Sequence, residues 1–196
     1  MTSYTSRAYA LVNREDKRHE KEVVEYLDPQ SDDHILEIGC GRGFITKKIQ
    51  KVASHTYGVD VNPESIANGV TDQLRQMSAE DLEFPDESFD KVYSFHTIEH
   101  IPHPKKMLRE VARVLKPGGK ALIVYPAEPI RGLFSIPAAL VMFKNPFRTR
   151  EIHLHKLNPQ KVQELAEENG LQHVRSKFSW LSFPQYFTVF KKYNGD

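Results

Sequence analysis

Cysteine is nearly missing from this chain: among 196 residues there is only Cys40. No internal disulfide can form, so packing and hydrogen bonds must hold the fold, and a reducing compartment is the expected setting. An excess of one charge is missing too. The 27 Lys and Arg are offset by 26 Asp and Glu, for a formal net charge of +1, which gives no global attraction to nucleic acid or to an anionic membrane. Long apolar runs are lacking. The most apolar stretch, residues 132–143, is broken by Pro137 and falls short of the about 20 residues that a spanning helix needs. The opening MTSYTSRAYALVNREDKRHEKE has no apolar core of a secretion signal, and a cytoplasmic protein is expected. Repeats and low-complexity tracts are absent as well. What remains, 39% hydrophobic and 27% charged residues, suits one folded domain with a sizeable core.

Short apolar runs alternate with helical patterns, which points to a parallel sheet. Strands are predicted at 34–38 (HILEI), 56–59 (TYGV, closed by Asp60), 74–78, 89–95 (FDKVYSF) and 121–125 (ALIVY). Helices are predicted at 10–27, at 44–52, from Pro63, and over 104–115, where Met107, Leu108, Val111, Val114 and Leu115 keep helical spacing. Pro117-Gly118-Gly119 predicts a turn into the next strand. Asn158 reads as the cap of a helix with Pro159 in its first position and Gly170 as its stop. After Gly170 the rhythm changes. Residues 171–180 and 185–191 form two strands with no room for a helix between them, so they pair antiparallel. The expected architecture is α/β: a doubly wound, mostly parallel seven-stranded sheet with an antiparallel C-terminal strand and helices on both faces. It forms one domain over 1–196, with an N-terminal helix within 1–30 and an insert at about 126–157.

Glu37-Ile38-Gly39-Cys40-Gly41-Arg42-Gly43 lies where the first strand should turn into a helix. Glycines there let the backbone turn sharply and a ligand approach closely. A dinucleotide-binding turn would want glycine at position 44, where this chain has Phe44. That counts against an NAD(P)-dependent Rossmann oxidoreductase, as does the lack of room for a substrate domain. Asp60, at the end of the second strand, is placed to accept hydrogen bonds from both hydroxyls of a ribose. Asn62 is the better cap for the Pro63 helix.

The ordered series LEIGCGRG, GVDVNPES, MSAEDLEFPDESFDKV, SFHTIEHIPHP and LREVARVLKPGGKALI resembles the class I S-adenosylmethionine-dependent methyltransferases. The resemblance is to their small-molecule group, which includes the ubiquinone and menaquinone biosynthesis enzymes. It covers about residues 34–125, and the reversed final strand also fits. The resemblance implies S-adenosylmethionine as cofactor, with Gly39, Cys40, Gly41 and Gly43 along its methionine and ribose. It implies that Glu37 holds the methionine amino group, that Asp60 binds the ribose hydroxyls and that Val61 packs on the adenine. Ala79 and Glu80 would contact the adenine edge, and Phe95 and His96 the methionine end. The family usually has aspartate immediately before that alanine, and this chain has Ser78. Cys40 reads as a small loop residue, since nothing basic is placed to activate a thiol.

A sulfonium is already an activated methyl donor, so the protein mainly aligns the reactants. A general base is needed only for a protonated acceptor. His96, His100 and His153 are the candidates, set against the many structural uses of histidine. His153-x-His155 lacks a convincing further metal ligand, and no metal is expected. Two rivals remain beside the oxidoreductase: a non-catalytic S-adenosylmethionine-binding module, and an RNA methyltransferase, which the near-neutral charge and the sequence SFHT after the fourth strand disfavour. The insert PAEPIRGLFSIPAALVMFKNPFRTREIHLHKL is too long for an ordinary connection and too apolar for a free loop. Its apolar centre has basic flanks at Arg131, Lys144, Arg148 and Arg150. It resembles the acceptor lid of quinone-biosynthesis methyltransferases, which implies an apolar acceptor such as a lipid, quinone or polyketide-like molecule; its apolar and basic residues together suit peripheral membrane contact through 131–150.

Overall fold

The computed structural model describes residues 17–127, 154–180 and 184–194. In chain order these form α1 (Lys17–Leu27), β1 (Ile35–Ile38), α2 (Phe44–Ile49), β2 (Thr56–Asp60), α3 (Pro63–Ala67), β3 (Leu74–Gln76) and β4 (Phe89–Phe95). A 3₁₀ turn (Ile98–His100), α4 (Pro104–Val114), β5 (Leu115–Pro126), α5 (Pro159–Glu167), β6 (Leu171–Ser179) and β7 (Gln185–Lys192) follow. The seven strands lie in the order β3-β2-β1-β4-β5-β7-β6. All the pairs from β3 to β5 are parallel, and β7 runs antiparallel to both β5 and β6. The expected doubly wound sheet with one reversed strand is therefore present.

All four residues of β1 are buried, as a strand covered on both faces requires. Alternation along the strands divides the core into two layers. Leu36, Ile38, Val92 and Ile123 face Met107, Leu108 and Val111 of α4 and Val162 and Ala166 of α5. Ile35, Tyr93, Leu122 and Val124 face Val23, Tyr26 and Leu27 of α1 and Ile49 of α2. Each fully buried aliphatic side chain stabilises the fold by about 1.5–3 kcal/mol, so both layers are needed. Strand order reverses between β1 and β4, and ligands of such sheets bind at the carboxyl ends beside that reversal. The register puts Ile38 beside both Val59 and Ser94, so β1, β2 and β4 end together at that crevice.

The predicted caps hold. Asn62 Oδ1 accepts from the Glu64 and Ser65 amides, Asn158 Oδ1 accepts from the Lys161 amide at 2.8 Å, and Gly170 has φ +83°. Pro117-Gly118-Gly119 behaves differently from expectation. The strand runs through it: Leu115 pairs with Phe89 and Lys120 with Lys91, so residues 116–119 bulge out opposite Asp90 alone. Lys116 Nζ lies 2.8 Å from both Asp90 oxygens and pins the bulge, so the reversal is absorbed inside one strand. α2 stops at Ile49 rather than at residue 52, since the chain must turn there into β2. The predicted N-terminal helix is described from Lys17 onward; residues 10–16 lie outside the described residues, as does most of the insert (128–153).

One arginine fastens a loop that sequence patterning leaves open. Arg113, near the end of α4, donates to the Leu82 and Phe84 carbonyls, to Asp86 and to Glu110, each at 2.7 Å. Glu110 in turn accepts from the Leu82 amide at 2.9 Å. These contacts raise the guanidinium pKa further and lower that of Glu110, in each case chiefly through the bond between them. Arg113→Met is expected to cost about 2–3 kcal/mol of stability by stranding these acceptors. Arg113→Lys should recover only part of that, because an ammonium cannot reproduce the planar fork. Urea unfolding of the two variants measures both effects.

Candidate active site

At the end of β1 the chain turns through Gly39, Gly41 and Gly43, all with positive φ. At Gly39 the constraint is doubled: φ is +77°, and a Cβ there would stand 2.0 Å from Thr97 Oγ1. The backbone must therefore be bare where the turn after β4 crosses it. Thr97 Oγ1 reaches back to the Ile38 carbonyl at 3.3 Å, tying the ends of β1 and β4 together. Cys40 is buried, and its Sγ rests 3.6 Å from the Gly41 carbonyl. Burial, together with the nearby Glu37 and Asp60 charges, pushes its thiol pKa up, which is the opposite of nucleophile activation.

Glu37 shares the face of Ile35 and is 2% exposed. Tyr93 of β4 donates its hydroxyl proton to Glu37 Oε2 at 2.6 Å, and Thr46 of α2 donates to the same oxygen. Despite these two bonds, burial pushes the carboxyl pKa up from about 4.5 to about 7. A carboxylate held in this way, next to a bare backbone turn, is one cation short of satisfied.

Asp60 closes β2. Its Oδ2 accepts from the Gly41 amide and its Oδ1 from the Asn62 amide, both at 2.8 Å. The carboxylate thus braces the glycine turn while each oxygen keeps a second lone pair. Burial raises its pKa despite those bonds. Val61 follows with 44% of its surface open, and Ala79 is buried. Ser78 takes the Glu80 amide on its hydroxyl at 3.2 Å. Glu80 Oε1 accepts from the His103 amide at 2.8 Å, which staples this loop to the start of α4.

After β4, Phe95 and His96 stand at the crevice with their rings 4.4 Å apart, edge to face. His96 has φ +52°, an uncommon conformation for a residue with a side chain. Its Nδ1 lies 3.2 Å from Glu99 Oε1 and its Nε2 2.7 Å from Gln185 Oε1. His100 Nε2 lies 3.8 Å from the same Glu99 oxygen. His96 and His100 therefore share one buried carboxylate. His153 lies outside the described residues. His155 Nε2 donates to the Ile101 carbonyl at 3.0 Å, a docking contact, and among the described residues no cluster of His, Cys, Asp or Glu could hold a metal ion. Sequence reasoning missed Thr46, Tyr93, Glu99 and Gln185. Period-two alternation puts Tyr93 on a buried face, but nothing local names its partner.

Residues 36–123 match the family model described as "Methyltransferase domain". The ubiquinone biosynthesis O-methyltransferase of Aeromonas salmonicida is 29% identical over 148 residues, 70% of this chain and 62% of that protein. The sterol 4-C-methyltransferase strm-1 of Caenorhabditis elegans is 32% identical over 111 residues, 52% of this chain and 33% of that protein. The chain thus spans 33% to 62% of the lengths of these relatives. In fold it is similar to Haemonchus contortus phosphoethanolamine N-methyltransferase 2, solved in complex with S-adenosyl-L-methionine. The TM-score is 0.71 at 16% identity, over 91% of this chain and 53% of that one. Residues 36–123 are thus similar to a methyltransferase domain, and the fold is one that solved methyltransferases share.

S-adenosyl-L-methionine is the ligand of the Haemonchus structure, and the residues at this crevice are of the kind that could hold such a group. The cradle at Gly39 is one that a Cβ would fill. Glu37 offers a buried anion for an ammonium, Asp60 offers acceptors for a diol, and Val61 an apolar surface for a purine. The first turn of α2 begins at Phe44 rather than glycine, so the chain lacks the third glycine of a dinucleotide turn.

The raised Glu37 pKa makes a signed prediction. A buried acid that titrates near 7, against about 4.5 when unfolded, binds extra protons in the folded state. Its ionisation therefore costs stability as pH climbs from about 4.5 to 7, and the full cost, on the order of 3 kcal/mol, stands above pH 7. Glu37→Gln keeps an acceptor for Tyr93 and Thr46 and removes that cost. The cofactor-free variant should be more stable than wild type at pH 8 and equal to it near pH 4. Thermal unfolding across that range measures the difference.

Proposed function

We propose that the protein transfers the methyl group of S-adenosylmethionine to a small apolar acceptor by in-line displacement. The observation that supports this best is the meeting of Glu37, the bare Gly39–Gly43 backbone and Asp60 at the carboxyl ends of β1 and β2. S-adenosylmethionine supplies, when bound, a methyl group already activated by its sulfonium. The protein's own residues bind and orient. Glu37, held by Tyr93 and Thr46, takes the amino group. Asp60, fixed by the Gly41 and Asn62 amides, takes the ribose hydroxyls. Val61 and the buried Ala79 flank the adenine, with the Ser78 loop at its edge. Fixing the reactants in this way is the main catalytic contribution such a site makes. His96 and His100 stand on the acceptor side, where a base is needed only for a protonated nucleophile.

Two named relatives act on different atoms, an O-methyltransferase and a 4-C-methyltransferase, so their names favour no acceptor atom. Ubiquinone and sterol nevertheless share an apolar character. Together with the apolar insert, they support a lipid or quinone-like acceptor. No helix among the described residues is long and apolar enough to cross a membrane, and contact with a membrane through 131–150 is proposed as peripheral.

Calorimetry is expected to show S-adenosylmethionine and S-adenosylhomocysteine binding near micromolar Kd, about −8 kcal/mol, with no measurable NAD binding. Binding of NAD alone would refute the reading. Asp60→Asn should weaken cofactor binding about 10- to 100-fold, the scale of a hydrogen bond to a charged group. Replacing Leu133, Phe134 and Phe143 with Ser should leave cofactor binding intact and abolish turnover of apolar acceptors. If cofactor binding is lost as well, the insert is core and does not cover an acceptor.

A further inference from the structure

We propose that Gln185 is a positioning residue of this site: with Glu99 it grips the His96 ring by both nitrogens and holds it as an imidazolium. The three residues come from separate elements. His96 follows β4, Glu99 sits in the 3₁₀ turn, and Gln185 opens β7, where it pairs with Pro126 at the end of β5. Glu99 and Gln185 are both buried, at 1% and 0% exposure. A carboxylate oxygen stands 3.2 Å from Nδ1 and an amide oxygen 2.7 Å from Nε2. An amide oxygen only accepts, and so does an ionised carboxylate, so with Glu99 ionised a ring that satisfies both donates from both nitrogens and carries both protons.

Gln185 Nε2, also buried, has no partner among the described residues. The amide therefore spends its acceptor on His96 and leaves its donor idle, at the penalty of a buried orphan. Turning the amide over would instead suit a neutral ring with its proton on Nδ1. The orientation present is the one that an imidazolium requires. Among the described residues, the groups facing the ring are Glu99 from the turn, Gln185 from β7 and the Phe95 ring from β4. His100 Nε2 lies 3.8 Å from the same Glu99 oxygen.

Two consequences follow. A ring that carries both protons has no lone pair for an acceptor's proton, so His96 orders the site and is not its general base. It also neutralises Glu99, whose backbone carbonyl receives the Leu154 and His155 amides at 2.9 and 3.3 Å. The ring thereby steadies the point at which the chain returns from the insert. The place of this clamp in methyl transfer rests on the proposed function; the ring's protonation does not.

The test is long-range ¹H–¹⁵N spectroscopy of the histidine rings in the full-length protein, with His96 assigned by its loss in His96→Gln. At pH 7.5 the wild-type His96 ring is expected to show two protonated nitrogens, and Gln185→Leu should convert it to the neutral ring protonated on Nδ1. Gln185→Glu, which puts a carboxylate at Nε2, should restore the doubly protonated signature and move the ring's titration up by about one pH unit relative to wild type. A neutral wild-type ring at pH 7.5 would overturn the proposal, as would an unchanged ring signature in the Leu variant. Should the Leu variant fail to fold, an unmoved titration in the Glu variant would overturn it equally. Calorimetric binding of S-adenosylhomocysteine to the same samples reads the methyltransferase assignment separately.

Discussion

Between the ends of β1 and β4 there is room for a backbone and for nothing attached to it. Thr97 Oγ1 occupies the place where a Cβ of residue 39 would be, and the same hydroxyl bonds the Ile38 and Phe95 carbonyls. The two strands can therefore finish side by side only if the first turns away at once in a left-handed conformation. That turn exposes the backbone of residues 39–43 to the crevice and starts α2 at Phe44. It also brings the Gly41 amide to Asp60. Moving any one of these pieces would displace the others, because the parallel register already fixes where all three strands end.

The electrostatics of the site follow from the same crowding. Glu37 and Asp60 are acids drawn into a region with little water, and both are pushed toward protonation by burial. Neither meets a cation there in the contacts described; each is held by neutral donors, Tyr93 and Thr46 for one and two backbone amides for the other. Neutral donors orient a carboxylate without cancelling its charge. The result is a pair of aimed anions whose remaining desolvation cost a cationic and hydroxylated ligand would relieve. The free protein gives up stability to keep two oriented anions at this crevice, as expected of a functional site and not of core packing.

How much of this the sequence discloses depends on how far apart the partners lie in the chain. The strands, the caps at Asn62 and Asn158 and the reversed last pair rest on spacings of a few residues, and they were legible. The bulge at residues 116–119 was not, because Pro-Gly-Gly punctuates a strand and a turn alike; only Asp90 of the neighbouring strand decides between them. Glu37, Asp60 and the glycines stood out through their place after a strand. Their supports did not: Tyr93 and Thr46 reach Glu37 from a different strand and a helix, and Arg113 clasps a loop about 30 residues away. Glu80 shows the converse. Its motif position suggests a ligand contact, and nothing local announces that its Oε1 also accepts from the His103 amide.

The histidines bring out the same limit in chemical terms. A histidine after the fourth strand is a reasonable base when only its position is known, because an unperturbed imidazole has one free lone pair near neutral pH. What decides its role is the character of the atoms at its two nitrogens, and one of those belongs to Gln185, 89 residues further along the chain. The reversed strand that delivers Gln185 is thus more than an edge to the sheet. By running antiparallel, β7 begins where β5 ends, which places its first side chain at the carboxyl edge beside the groups that follow β4. A parallel strand in that position would begin at the opposite edge and leave Nε2 of His96 without this partner. The topology that completes the sheet therefore also sets the hydrogen bonding at the carboxyl edge beside β4.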